Sequence, residues 1–268
     1  MTPSAVEQAA TLLVAARRNR QPLDALPEAC RPRTAEDGYA VQKVVIGLWA
    51  EDVAGWKSGA TAIPVQQRFG LEEPFLGPIF KSSVLHSPAR AKAAAFEHRL
   101  DVAKRGIAVE VEFAFRVGTT MAPRASGYSE SDVLAAIDAL VPAIEIIAPR
   151  FHAIPFDPPG SALADCGVNG GIVLGRPVAD WRRIDFPAHK ASLVVDGRTV
   201  VEGTGSLVLG HPFKSLIWLV NNVTRRGFTV HAGQILTTGS MTGIVYVDEG
   251  QQATGDFGSL GQVELDVA

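Results

Sequence analysis

The chain has 268 residues, 47% of them hydrophobic and 20% charged, a balance that suits a soluble globular protein with one large domain or one domain and a smaller appendage. Its formal charge of −3 comes from 25 basic and 28 acidic residues spread along the chain, with no polybasic block to neutralise phosphates, so no nucleic-acid partner is expected. No apolar run approaches the roughly 18 residues of a membrane span, and the two cysteines, Cys30 and Cys166, form no C-x-x-C pair; no membrane association and a reducing, cytoplasmic setting are expected.

The first element is a helix over residues 4–19, rich in alanine and leucine, interrupted by Pro22 and Pro27. Thr34 and Asp37 resemble a capping box with the shorter acid, ahead of a helix whose apolar stripe is Tyr39, Val41, Val44, Val45 and Leu48. Gly55, Gly59, Pro64 and Gly70 then mark loop-rich chain with short extended pieces, and PFLGPIF reads as turn chemistry among apolar residues. From residue 105 the pattern is mainly β. The run AVEVEFAF is a strand, Ser129 caps a helix over SESDVLAAIDALV, and PAIEIIAPR is a buried strand. Asp196-Gly197 signals a hairpin between two valine-rich arms. Pro212 opens a late helix that Gly227 stops, and QILTTGSMTG resumes the sheet. These elements predict an α+β architecture: a small helical N-terminal portion over residues 1–60 and a mixed β-roll or barrel-like body over 61–268.

Glu110 and Glu112 stand at strand spacing, so their side chains share one face about 7 Å apart while Val109, Val111, Phe113 and Phe115 take the other. Such a pair reads either as the wet face of an antiparallel strand or as a carboxylate site that needs a cation. Glu145 favours the second reading, because it stands among Ala143, Ile144, Ile146 and Ile147, where an unpaired charge is expensive. Three carboxylates without accompanying histidines or cysteines select a hard ion, Mg²⁺ or Mn²⁺, over zinc or copper.

Lys57, between Gly55-Trp56 and Ser58-Gly59, is either a surface lysine in a loop or a cation for an anionic ligand. Gly203, Gly205 and Gly210 precede His211-Pro212 in a turn that could aim N–H groups at a carboxylate, though it matches no nucleotide-binding pattern. No G-x-S-x-G elbow is present. His211 reads as a capping or packing residue rather than a general base, and His86, His98, His152, His189 and His231 suggest no role.

Several blocks in order resemble the 2-keto-4-pentenoate hydratase branch of the fumarylacetoacetate hydrolase superfamily: T-A-E-D-G-Y-A-V-Q at 34–42, G-W-K-S-G-A-T at 55–61, E-V-E-F-A-F at 110–115, P-A-I-E-I at 142–146, A-D at 164–165, G-T-G-S-L-V-L-G-H-P at 203–212, L-I-W-L-V-N at 216–221 and A-G-Q-I-L-T-T-G-S at 232–240. The resemblance implies that Glu110, Glu112 and Glu145 bind the divalent metal, that Lys57 is an active-site base or polar anchor, and that Leu76 and Gly77 line the pocket. It implies a hydro-lyase of aromatic-compound catabolism that adds water to a 2-hydroxy-2,4-dienoate to give a 4-hydroxy-2-oxo acid. The alternatives are a 4-oxalocrotonate-type decarboxylase, an acylpyruvate-type hydrolase or a non-catalytic partner subunit of the same fold. A homo-oligomer is expected, with a pathway aldolase or decarboxylase as a partner. Asp165 is a second proton carrier beside Lys57, and Ser240 a hydrogen-bond donor to substrate or a hydroxyl closing a turn. Where this branch tends to read A-D-N-x-S, the chain reads Ala164-Asp165-Cys166-Gly167-Val168-Asn169, so Asn169 supplies a polar group by a different route. After Gly77 the chain lacks the acids often found there; Lys81 either faces the pocket, favouring a second substrate carboxylate, or points to solvent.

Overall fold

The computed structural model describes residues 1–93, 106–154 and 159–268. Helix α1 (Pro3–Asn19) starts where the Thr2 hydroxyl accepts the Ala5 N–H, and it buries Ala9, Ala10, Leu13 and Val14. Helix α2 (Ala35–Trp49) starts the same way, with Thr34 accepting from Asp37 N at 3.2 Å, and buries Val41 and Val45 while Leu48 stays exposed. The two helices pack together over Leu26, Phe80 and Phe151, forming a core of their own. Among the described residues no helix is long and apolar enough to cross a membrane.

There follow β1 (Val53–Gly59), α3 (Ile63–Arg68), β2 (Phe75–Phe80), β3 (Val84–His86), β4 (Ala89–Ala91), β5 (Gly106–Val117), α4 (Glu130–Ala136), β6 (Ile137–Ile147), α5 (Gly160–Ala164), β7 (Asn169–Leu174), β8 (Lys190–Val195), β9 (Arg198–Thr204), α6 (Pro212–Arg225), β10 (Ile235–Ser240), β11 (Val245–Asp248), β12 (Gln252–Asp256) and β13 (Gln262–Val267). The larger sheet runs β2-β1-β10-β5-β6-β7-β3, with β11 also on β5; the smaller runs β4-β13-β12-β8-β9. The α+β roll is therefore as expected, but it is not a closed barrel: β2 and β3, the ends of the larger sheet, do not pair with each other. Strand β1, just before the expected boundary at residue 60, pairs with both β2 and β10 inside the larger sheet.

The two faces of β5 decide where the core and the site lie. Val109, Val111, Phe113 and Phe115 are buried in one core with Leu193, Ala253 and Val263 of the smaller sheet, and the Phe113 ring meets Phe186 and Phe257 at centroid separations of 5.2 and 5.9 Å. The glutamates face the other way, onto the opposite surface of the larger sheet. The Asp196-Gly197 hairpin forms as expected, both residues having positive φ. Helix α6 begins with His211 Nδ1 accepting the Phe213 N–H, the capping role read for it.

Two segments differ from expectation. Helix α4 stops at Ala136, because residues 137–141 extend β6 along the whole length of β5, and the ladder hydrogen bonds outweigh a weak helix preference. PFLGPIF is a fully buried strand, β2, and Pro78 is tolerated because β2 is a sheet edge, where a missing N–H breaks no ladder.

Candidate metal centre

The antiparallel register of β5 and β6 sets Glu110 directly opposite Glu145, with Glu112 two residues along on the same face. One carboxylate oxygen from each lies within 4.8 Å of the others. Glu112 and Glu145 are 0% and 1% exposed, so the wet-face alternative does not apply; Glu110 keeps partial exposure, and the cluster opens on its side.

Each buried carboxylate has one oxygen satisfied and one free. Glu112 Oε2 accepts the Gly239 N–H at 3.0 Å, and Glu145 Oε1 accepts Asn169 Nδ2 at 2.8 Å and pairs with Lys57 Nζ at 3.3 Å. Glu112 Oε1 and Glu145 Oε2 have no hydrogen-bond partner. Removal from water and the neighbouring Glu145 charge push the Glu110 pKa up to about 7 and that of Glu112 well above the ordinary carboxylate range, with Lys57 opposing both shifts. Two buried carboxylates that each keep an unpartnered oxygen, grouped with a third, are the donor set of a hard divalent ion, so the residues fit Mg²⁺ or Mn²⁺.

Lys57 is 3% exposed, which excludes the surface-loop alternative. It sits in β1 beside Gly77 of β2 and Thr237 of β10, with Nζ 4.9 Å from the centre of the Phe75 ring. Gly167 leaves room for it, since a Cβ there would stand 3.0 Å from the Phe75 ring and 3.2 Å from Lys57 Cε. Gly167 lies in a run of three left-handed residues, Cys166, Gly167 and Val168, with φ of 54°, 61° and 58°. For the two non-glycine residues, one of them β-branched, that conformation costs on the order of 1–2 kcal/mol each. Asn169 leaves this turn directly into β7, and its amide reaches Glu145.

Other expected site residues divide. Leu76 is buried, its N–H donating to the Tyr39 hydroxyl and its carbonyl accepting Gln42 Nε2, while Gly77 lies so close to the Cys166 carbonyl that a Cβ would come within 2.0 Å. Gly77, paired with Lys57, therefore lies on the lysine's face of the sheet, whereas Leu76, paired with Ser58, turns its side chain to the other face and packs with Trp56 in the core, so the pocket-lining role expected of Leu76 does not hold. Ser240 stands opposite Glu112 and helps hold the Glu110 pKa down, yet its Oγ also accepts the Gly243 N–H at 2.7 Å, so it closes a turn as well. The glycine-bearing turn at 203–210 is tied in by Leu209 N donating to Thr61 O, and Thr61 packs on Gly239.

Asp165 does not join the carboxylates. Arg150 N donates to its Oδ2 at 2.7 Å, Arg150 Nε pairs with its Oδ1, and Arg150 Nη2 donates to its carbonyl at 2.6 Å. With both oxygens engaged, the expected proton carrier is an anchor instead. Lys81 is a second correction. Its side chain is exposed, 3.9 Å from Asp52, and it lies four residues beyond Gly77, about 13 Å along the strand direction. It points to solvent and not into the centre. His98 lies outside the described residues.

Arg17 and Arg150 are site neighbours that the sequence does not announce. Arg150 Nη1 donates to Asn169 O at 2.7 Å, and Arg17 Nη2 donates to the same oxygen at 3.0 Å. Neither belongs to a motif; the available signal is an arginine that closes the apolar run PAIEIIAPR.

No family model matches the chain. It is 28% identical to a 2-keto-4-pentenoate hydratase of Paraburkholderia xenovorans, over 99% of this chain and 96% of the relative, and 28% identical to a 4-oxalocrotonate decarboxylase of Pseudomonas putida over 86% and 84%. Its fold matches that of a 4-oxalocrotonate decarboxylase from Pseudomonas putida G7, solved with magnesium and adipate, at a TM-score of 0.87 and 24% identity, covering 100% of this chain and 99% of the other. A fumarylacetoacetate hydrolase family protein from Yersinia pestis matches at a TM-score of 0.56 and 15% identity, over 82% of this chain and 95% of the other.

Proposed function

For a chain that is related over nearly its whole length to the 2-keto-4-pentenoate hydratases of the fumarylacetoacetate hydrolase superfamily, we propose a divalent-metal-dependent hydro-lyase that adds water to a 2-hydroxy-2,4-dienoate. The observation that carries the reading is the buried carboxylate triad with two unpartnered oxygens, beside a buried lysine. Glu110, Glu112 and Glu145 would hold Mg²⁺ or Mn²⁺; the bound ion supplies a Lewis acid that polarises the oxygen at C2 of the substrate.

The chain's own residues account for the rest. The Gly239 N–H and the Asn169 amide each fix one carboxylate oxygen, leaving the other free to face the ligand. Lys57 Nζ sets a positive charge beside Glu145, where an anionic substrate needs compensation for three carboxylates, and it is the group in reach to hold or pass a proton. The Phe75 ring, its centre 4.9 Å from that ammonium, keeps bulk water from it. The net change places a hydroxyl on C4 and one proton each on C3 and C5. Those two protons come from the added water and the C2 hydroxyl, which becomes the ketone.

Decarboxylation of a vinylogous 2-oxo diacid is the second reading, favoured by the decarboxylase relative at equal identity. The two reactions need the same electron sink at C2 and differ in what leaves or adds at the far end. Assaying the isolated chain on 2-hydroxypenta-2,4-dienoate and on 4-oxalocrotonate, with Mg²⁺ and with chelator, separates them. Hydration of the dienoate that chelator abolishes supports the first reading; carbon dioxide release without hydration overturns it.

A further inference from the structure

Resting on the metal-centre reading above, we infer that Arg17, on the first helix, is a positioning residue for Glu145, acting through the Asn169 backbone. Two guanidinium groups converge on one carbonyl oxygen, Asn169 O, from Arg17 at 3.0 Å and from Arg150 at 2.7 Å. The side chain of that same asparagine then donates to Glu145 Oε1 at 2.8 Å. Hydrogen bonds thus link α1 to the carboxylate triad through a residue 152 positions away in sequence.

The clamp stands where the backbone needs it. Asn169 is the exit from the left-handed run Cys166–Gly167–Val168, and Arg150 also holds the entrance, through Asp165. Both ends of the turn from which the asparagine amide reaches Glu145 are therefore held. Arg150 already has its counter-ion in Asp165, whereas among the described residues no carboxylate lies within ion-pair distance of Arg17. Its guanidinium lies instead over the Trp49 and Phe80 rings, 5.2 and 5.0 Å from their centres. Arg17 brings a second cation beside Arg150, where the Asp165 and Glu51 charges offset part of the repulsion, and its hydrogen bond to the Asn169 carbonyl is the one that leads to Glu145.

The test measures Mn²⁺ binding to the metal-free protein by titration calorimetry, with thermal melting in parallel, so that no turnover is needed. Arg17→Gln should weaken Mn²⁺ binding about 10- to 100-fold, the range for loss of an outer partner of a ligand. Arg17→Lys, which keeps a cationic donor, should recover part of it. Leu13→Ala, on the same helix, should lower the melting temperature while leaving Mn²⁺ affinity unchanged. Unchanged affinity in Arg17→Gln, or an affinity loss in Leu13→Ala matching its own, would overturn the positioning role. Failure of the unaltered protein to bind Mn²⁺ would overturn the metal-centre reading itself, and the inference with it.

Discussion

Glu112 shows the logic of the site in a single residue. Its side chain is wholly buried, one oxygen is held by the Gly239 N–H, and the other has no hydrogen-bond partner although two further carboxylates lie close by. A buried orphan acceptor of that kind costs about 1–3 kcal/mol or more when charged, so it persists where a cation or a proton completes it. The strand spacing of Glu110 and Glu112 and the apolar flanks of Glu145 make this legible in the sequence. Lys57 is legible there as a candidate, though only its burial beside Glu145 settles its surroundings. Arg150 and Arg17 are not legible, because they act on a backbone oxygen and backbone partners leave no periodicity in a sequence. Lys57→Met should reduce kcat by about 10²- to 10⁴-fold, the scale of a lost proton-transfer group, while the protein stays folded. Steady-state rates with circular dichroism check this, and a near-normal rate would remove Lys57 from the mechanism. Ser240→Ala should raise KM or lower kcat for the dienoate; unchanged values of both would leave only its role in closing the turn with Gly243.

Among the elements, β5 is the member from which the rest follows, since it carries the core on one face and the carboxylates on the other. Its alternation is readable, as are the hairpin of β8 and β9 and the caps of α2 and α6. The end of α4 is not readable, because Ile137–Val141 suits a helix by local preference and a strand by its partner. For the turn at Cys166–Val168, only Gly167 hints at left-handed backbone; its neighbours adopt it under tertiary constraint. Gly167→Ala should therefore act on Lys57 and Phe75 rather than on the turn alone. Overpacking there and the unfavourable φ together should lower stability by roughly 1–3 kcal/mol and reduce turnover, read by denaturant melts and rates. Normal stability and rate would show that the Lys57 pocket has slack.

For the molecule as a whole, the cluster links stability to pH and metal. Glu110, raised from 4.5 to about 7, and Glu112, raised well above the ordinary carboxylate range, bind protons more tightly in the folded state than in the unfolded one. Stability of the metal-free protein is therefore greatest at low pH as far as these groups decide it, and it is lost as pH rises from about 4.5 through about 7. Metal displaces those protons, so its affinity rises over the same window. Melting curves should show a larger Mn²⁺-induced stabilisation at about pH 7.5 than at about pH 5; an equal shift at both would contradict the linkage.

The overall path of the chain also explains Lys81, which is carried past the end of β2 to the surface. Lys81→Ala should leave kcat/KM unchanged for monocarboxylic and dicarboxylic dienoates alike. The metal centre itself is tested most sharply by a crystal structure with Mn²⁺, located by its anomalous scattering. One ion is expected, with oxygens of Glu110, Glu112 and Glu145 about 2.0 to 2.2 Å away, the distance for a small hard divalent cation. An ion bound elsewhere, or Glu145 remaining paired with Lys57 and outside the coordination shell, would contradict it.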